Sequence, residues 1–84
     1  MNNKVLIELV VPRLERSYDI YIPINKRIGN IIVLINKALF QITNDETFNC
    51  NHGYLCNAFN NRIYDMNMKI IDTDIRNGAK LVLF

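Results

Sequence analysis

At 84 residues the chain is one domain, and folding hides only roughly 60 to 65% of the surface its unfolded form exposes, so no cleft enclosed on all sides is expected. Half the residues are hydrophobic and 21% are charged, the balance of a soluble globular domain and too apolar for a disordered one. The net charge is +2, and Lys4, Arg13, Arg16, Lys26, Arg27, Lys37, Arg62, Lys69, Arg76 and Lys80 are scattered without a run, which gives nucleic-acid binding no support.

The first element is a strand: Val5, Ile7, Leu9 and Val11 alternate with Lys4, Leu6, Glu8 and Val10, so one face is fully apolar. This run contains Glu8, is too short to span a bilayer and ends in Pro12, Arg13 and Glu15, so neither an export signal nor membrane insertion is expected. After a charged turn over Pro12 to Arg16, Ser17 to Ile22 alternates again, with Tyr18, Ile20 and Ile22 on the inner side. The two strands form a hairpin.

The stretch Asn25 to Ile42 then predicts a helix laid across that hairpin. Counting from Ile28, the residues Ile31, Ile35, Ala38, Leu39 and Ile42 recur at steps of three and four on one side. Asn25 is the expected N-cap, with Pro23 keeping the approach extended and the helix starting at Lys26. Lys26 and Arg27 oppose the positive end of the helix dipole, at a cost of ~0.3 to 1 kcal/mol each when exposed. Thr43 to His52 reads as a loop. Tyr54 to Asn57 and Arg62 to Tyr64 are short strands joined through Asn60-Asn61, which tolerates the positive φ of a tight turn. Met68 to Ile75 is a compact crossing segment, and Asn77-Gly78 feeds the last strand, Lys80 to Phe84.

This order of elements is that of the ubiquitin-like β-grasp fold, an α+β class with one helix packed across a mixed four- to five-stranded sheet. Ile22 stands six residues before Ile28, and Ile75 six before Leu81, as in ubiquitin-like chains generally. More closely, Tyr18-Asp19-Ile20-Tyr21-Ile22-Pro23 before an Ile-rich helix, and Ile71-Asp72-Thr73-Asp74-Ile75-Arg76-Asn77-Gly78 before an apolar strand, resemble the YukD/EsaB family. These are small ubiquitin-like accessory proteins of bacterial type VII secretion. The resemblance implies a cytoplasmic, non-enzymatic interaction module that serves a membrane-bound export machine. It brings no catalytic residues and no cofactor. Frequent isoleucine and asparagine, a bias that A+T-rich coding sequences often produce, fits a bacterial source.

Two other readings belong to different classes. A sulfur carrier or protein modifier of the same fold acts through a free diglycine tail, whereas this sequence ends at Leu83-Phe84 and holds no internal Gly-Gly. A small metal-binding domain would draw on Cys50, His52 and Cys56, but a structural zinc site needs four ligands. A plant-type iron–sulfur cluster needs four cysteines and the chain has two. In a reducing compartment both are free thiols, with a Cys50–Cys56 disulfide not favoured. Asp45 and Glu46 read as a solvated turn rather than an acid/base pair, and the tyrosines as sheet residues.

If Val5, Ile7 and Leu9 face the helix, then Leu6 and Val10 face away, and Val82 and Phe84 do the same in the last strand. In a β-grasp sheet these strands are central neighbours. Leu6, Val10, Val82 and Phe84 are therefore the expected protein-binding residues, extended by a tyrosine or Cys56. The partner implied is a type VII secretion component, and association with a second copy stays open. Val33 and Phe40, opposite the core-facing side of the helix, form a smaller rival surface.

Overall fold

In the computed structural model, which describes residues 3–84, the first alternating segment is strand β1 (Lys4–Val11). Ile7, Leu9 and Val11 are buried on one face, and Leu6, Glu8 and Val10 occupy the other. A 3-10 turn over Pro12–Leu14 reverses the chain, closed by Glu15 in the left-handed region at φ 53° with its N–H donating to the Pro12 carbonyl at 2.9 Å. β2 (Arg16–Pro23) returns antiparallel, with Ile7 opposite Ile20 and Leu9 opposite Tyr18. Tyr18, Ile20 and Ile22 pack toward the helix as the alternation requires.

Helix α1 spans Ile28–Thr43, so it starts two residues later than the sequence suggested, and its N-cap is Arg27 rather than Asn25. No side chain caps it. The reason is tertiary: the first free N–H groups, those of Ile28 and Gly29, donate to the carbonyls of Met68 and Met66 at 2.8 and 2.9 Å. The turn over residues 24–26 that leads into Arg27 is held by the same part of the chain, through Ile70 N–H to the Lys26 carbonyl and Ile71 N–H to the Ile24 carbonyl, both at 2.9 Å. At the other end Asn44 adopts φ 54° and donates to the Phe40 carbonyl at 2.8 Å, a left-handed C-terminal closure.

The buried arc of α1 is Ile28, Ile31, Ile32, Ile35, Asn36 and Leu39. Ala38 and Ile42, expected inside, are exposed: the arc is rotated toward Ile32 and Asn36, which leaves Ala38 outside it, and Ile42 lies in the last turn of the helix. Asn36 is a buried polar residue with a purpose: its Nδ2 donates to the His52 carbonyl at 2.6 Å and the Cys50 carbonyl at 3.4 Å, tying the 50–52 loop to the helix. The stretch after the helix is less irregular than expected. Asp45 caps a 3-10 turn over Glu46–Phe48, and that turn plants Phe48 in the core.

β3 (Leu55–Asn57) is followed by a turn in which Asn61 takes φ 60°. The strand expected over Arg62 to Tyr64 is reduced to an isolated bridge, Ile63 against Cys56, so the sheet has four strands. A 3-10 turn (Ile70–Asp72) then buries Ile70, and Ile75 is buried three residues beyond it. Gly78, at φ 88°, leads into β4 (Ala79–Leu83). The sheet order is β2-β1-β4-β3, with β1 and β4 parallel and the outer pairs antiparallel. One helix on a mixed four-stranded sheet is the β-grasp arrangement, and among the described residues it leaves the opposite sheet face without a second layer.

Candidate interaction surface

The open face is built by β1 and β4, which the parallel pairing makes neighbours. Val10 lies opposite Val82, and Val82 lies opposite Cys56 of β3, so three apolar side chains adjoin at the centre. Val10 and Val82 are half-buried, while Cys56 is only 4% exposed. Leu6 does not join them. The register places Glu8 opposite both Lys80 and Asp19, and this charged row separates Leu6 and its partner Tyr21 from the Val10–Val82 pair. Phe84 stands at the far end, 57% exposed, its ring 6.1 Å from that of Tyr54. The four residues expected to bind a partner share one face, but as a valine pair flanked by two separate aromatic or aliphatic outposts. Period-two alternation gives the face of a side chain and says nothing of what sits between Leu6 and Val10 along it.

The rival surface on the helix needs correcting. Phe40 packs against the core and Val33 is half-buried, because the buried arc is rotated toward Asn36, the flank on which both lie. The exposed apolar residues of α1 lie on the other flank: Leu34 (51%), Ala38 and Ile42 (64%), spaced four apart and so stacked in one row. Between that row and Tyr18, Ile20 and Ile22 of β2 runs an apolar groove of about 270 Å³. Sequence reading missed it. The available signal was a hydrophobic stripe wider than one core-facing side can bury.

The chemically reactive side chains are dispersed. Cys50 Sγ donates to the Thr47 carbonyl at 3.2 Å in the loop after α1, whereas Cys56 lies in the sheet, and both are free thiols. Cys50, His52 and Cys56 are not brought together, and among the described residues no three His, Cys, Asp or Glu side chains gather to hold a metal. The Asp45 carboxylate accepts the Thr47 N–H at 2.9 Å and Arg13 Nε at 3.3 Å. The Thr47 bonds foremost, with Arg13 adding to them, hold it below its ordinary pKa. The Tyr64 hydroxyl donates to Asp74 Oδ1 at 2.7 Å, and burial together with that bond pushes the phenol up to about 12. Both interactions brace turns. Among the described residues no helix is long and apolar enough to cross a membrane.

No protein-family model matches the chain, and no curated protein matches it by sequence. Its fold is shared with solved structures. The ubiquitin-like domain of the Mycobacterium tuberculosis type VII secretion system protein ECCD1 superimposes with a TM-score of 0.73 at 14% identity, covering 99% of this chain and 98% of that one. A chain of the MycP5-free ESX-5 inner membrane complex gives 0.78 at 10% identity, over 99% of this chain and 21% of the larger one. The N-terminal ubiquitin-like domain of the 4931431F19Rik protein gives 0.74 at 12% identity, over 100% and 76%. The fold is therefore ubiquitin-like, and identities this low establish the fold alone.

Proposed function

We propose that the chain is a non-catalytic ubiquitin-like interaction module that acts in the cytoplasm as an accessory of type VII secretion, docking through the open face of its sheet. The observation that carries this reading is the Val10–Val82 pair, apolar and centred on the two inner strands of a sheet with no second layer over it. Apolar side chains on the two inner strands of an uncovered sheet face, bordered on one side by the Asp19–Glu8–Lys80 row, have the composition of an interface core beside a polar rim. The likeness of fold to the ECCD1 domain, and to a chain of an ESX-5 membrane complex, supports secretion as the setting. The dispersal of Cys50, His52, Asp45 and Tyr64 supports a binding role over a chemical one.

The test is affinity capture from the native lysate with the tagged chain and with a Val10→Ser/Val82→Ser variant, followed by mass spectrometry. Type VII membrane components retained by the parent and lost by the folded variant are the expected result. Retention of the same proteins by both, or of no secretion component by the parent, overturns the proposal.

A further inference from the structure

The turn that feeds β4 carries a reactive pair that the docking face does not use. Of the chain's three glycines only Gly78 follows an asparagine, and Asn77 and Gly78 are both exposed. In an unstructured chain this dipeptide converts itself, because with no Cβ on the second residue the main-chain nitrogen reaches the asparagine Cγ without hindrance. Gly78 keeps that freedom in the fold: a Cβ placed on it would meet no atom within 4 Å, so neither burial nor crowding shields the pair. What restrains it is β1. Asn77 Oδ1 accepts the Leu6 N–H and the Leu6 carbonyl accepts the Gly78 N–H, both at 2.8 Å, so a single residue holds both reacting groups. Ala79 N–H closes the turn onto the Arg76 carbonyl at 3.0 Å, and β4 pairs with β1 from Ala79 onward, through Ile7–Ala79 to Val10–Val82.

The chemistry dictates when the pair can react. The Gly78 nitrogen bonds Asn77 Cγ, the Cγ–Nδ2 bond breaks, and Nδ2 leaves as ammonia with the proton that Gly78 gives up. The imide nitrogen that results carries no hydrogen, so the bond to the Leu6 carbonyl cannot survive the step. The turn therefore has to leave β1 before the ring closes. Water then opens the succinimide at one of its two carbonyls and returns a proton to the nitrogen. Cleavage at Cγ gives aspartate, whose carboxylate can again accept the Leu6 N–H. Cleavage at the α-carbonyl gives isoaspartate, in which the chain runs through Cβ and Cγ and gains one backbone carbon. That carbon falls inside the 76–79 turn, immediately before the β1–β4 register begins, and the acceptor that served Leu6 becomes part of the main chain.

We infer that Asn77–Gly78 is a self-modifying site, with water as its only co-reactant, which pairing with β1 keeps shut; opening of the β1–β4 junction admits conversion to isoaspartate, and the isoaspartyl chain does not restore the central strand pair. The change is one-way, so it marks chains whose junction has opened. It does not rest on the docking role, although the pairing it disrupts is the one that aligns Val10 with Val82.

The test incubates the full chain in mildly alkaline buffer beside the same chain unfolded in guanidinium chloride and a blocked synthetic peptide, Ile-Arg-Asn-Gly-Ala-Lys, that copies residues 75–80. Peptide mapping by mass spectrometry follows deamidation at each asparagine. The peptide and the unfolded chain should react alike, mainly at Asn77, and the folded chain about tenfold or more slower, because only its open fraction reacts. Equal rates for the folded and unfolded chain, or losses spread evenly over the asparagines, overturn the inference. The isoaspartyl product is then separated chromatographically, returned to native buffer and compared with an Asn77→Asp variant. The variant should keep the parental amide shifts over β4 and a Tm close to the parent's, whereas the isoaspartyl chain should lose hydrogen-exchange protection along β4 and melt lower. An isoaspartyl chain with parental shifts and Tm overturns the inference, and so does an Asn77→Asp variant that melts as low, since the added charge and not the added carbon would then be the cause. The rate comparison uses the unaltered chain and stands whether or not a variant folds.

Discussion

Ile32 and Ile35 are both core residues of α1, at 1% and 6% exposure, yet truncating them should not cost the same. Changing isoleucine to alanine deletes roughly three methylene equivalents at ~0.8 kcal/mol each, which sets a base of about 2 kcal/mol before any cavity term. Ile32 is enclosed: its Cγ2 would lie 3.3 Å from a Cβ placed on Gly53, so the surroundings fit it closely and the space left by truncation is sealed. Ile35 borders the β2–α1 groove, so its space opens to solvent and Leu34 can lean into it. Ile32→Ala should therefore cost ~3 to 5 kcal/mol and Ile35→Ala ~2 to 3 kcal/mol. With a total stability of about 5 to 15 kcal/mol, the first variant is close to unfolding. Urea unfolding followed by far-UV circular dichroism measures both, and each kcal/mol should lower Tm by about 4 to 8 °C in a domain this size. An Ile35→Ala cost equal to or above that of Ile32→Ala, or an unchanged Tm for either, refutes the packing described.

Asp45 is held below its ordinary pKa, so its contribution to stability is present above the unfolded carboxylate range and lost as pH falls through the depressed value. Asp45→Asn should remove that part of the acid dependence, as measured by Tm between neutral and acid pH. Tyr64 is the opposite case. Its phenol is raised from 10.0 to about 12, so folding favours the neutral form, and the contribution holds below pH ~10 and disappears as pH climbs toward 12. Ultraviolet titration should show a component near 12 that Tyr64→Phe abolishes. A Cys50→Ser/Cys56→Ser variant should fold and support secretion close to the parental level, with a modest packing loss at buried Cys56. Loss of export by the folded variant, or zinc bound by the parent and absent from the variant, would restore a role for the thiols.

What the sequence disclosed and what it hid follow from the range of the interactions involved. The inner faces of β1 and β2 were legible because alternation is local, and the helix existed in the pattern of Ile28, Ile31, Ile35 and Leu39. Its start was not legible, because the groups that satisfy Ile28 and Gly29 come from Met68 and Met66, far along the chain. Phe48 was hidden for a similar reason: a three-residue 3-10 turn has no periodicity to detect, although Asp45 before it was a visible cap. Ile63 carried the composition of a strand but found only one bridge partner at the short edge of β3. At the open face, the outward direction of Val10 and Val82 could be read from their neighbours. The charged row dividing them from Leu6 required the β1–β4 register, which no single segment specifies.

The proposed role rests on the centre of the open sheet face, and export is its most direct readout. Val10→Ser/Val82→Ser alters two half-buried residues on inner strands and should cost only about 1 to 2 kcal/mol of stability. Apolar anchors at the centre of an interface cost ~2 kcal/mol or more each when truncated, which is roughly thirty-fold in affinity per residue. The measurement is secretion of type VII substrates by cells in which this variant replaces the parent, with folding checked on the purified protein. A folded variant that no longer supports export is the expected result, and a folded variant exporting at the parental level contradicts it.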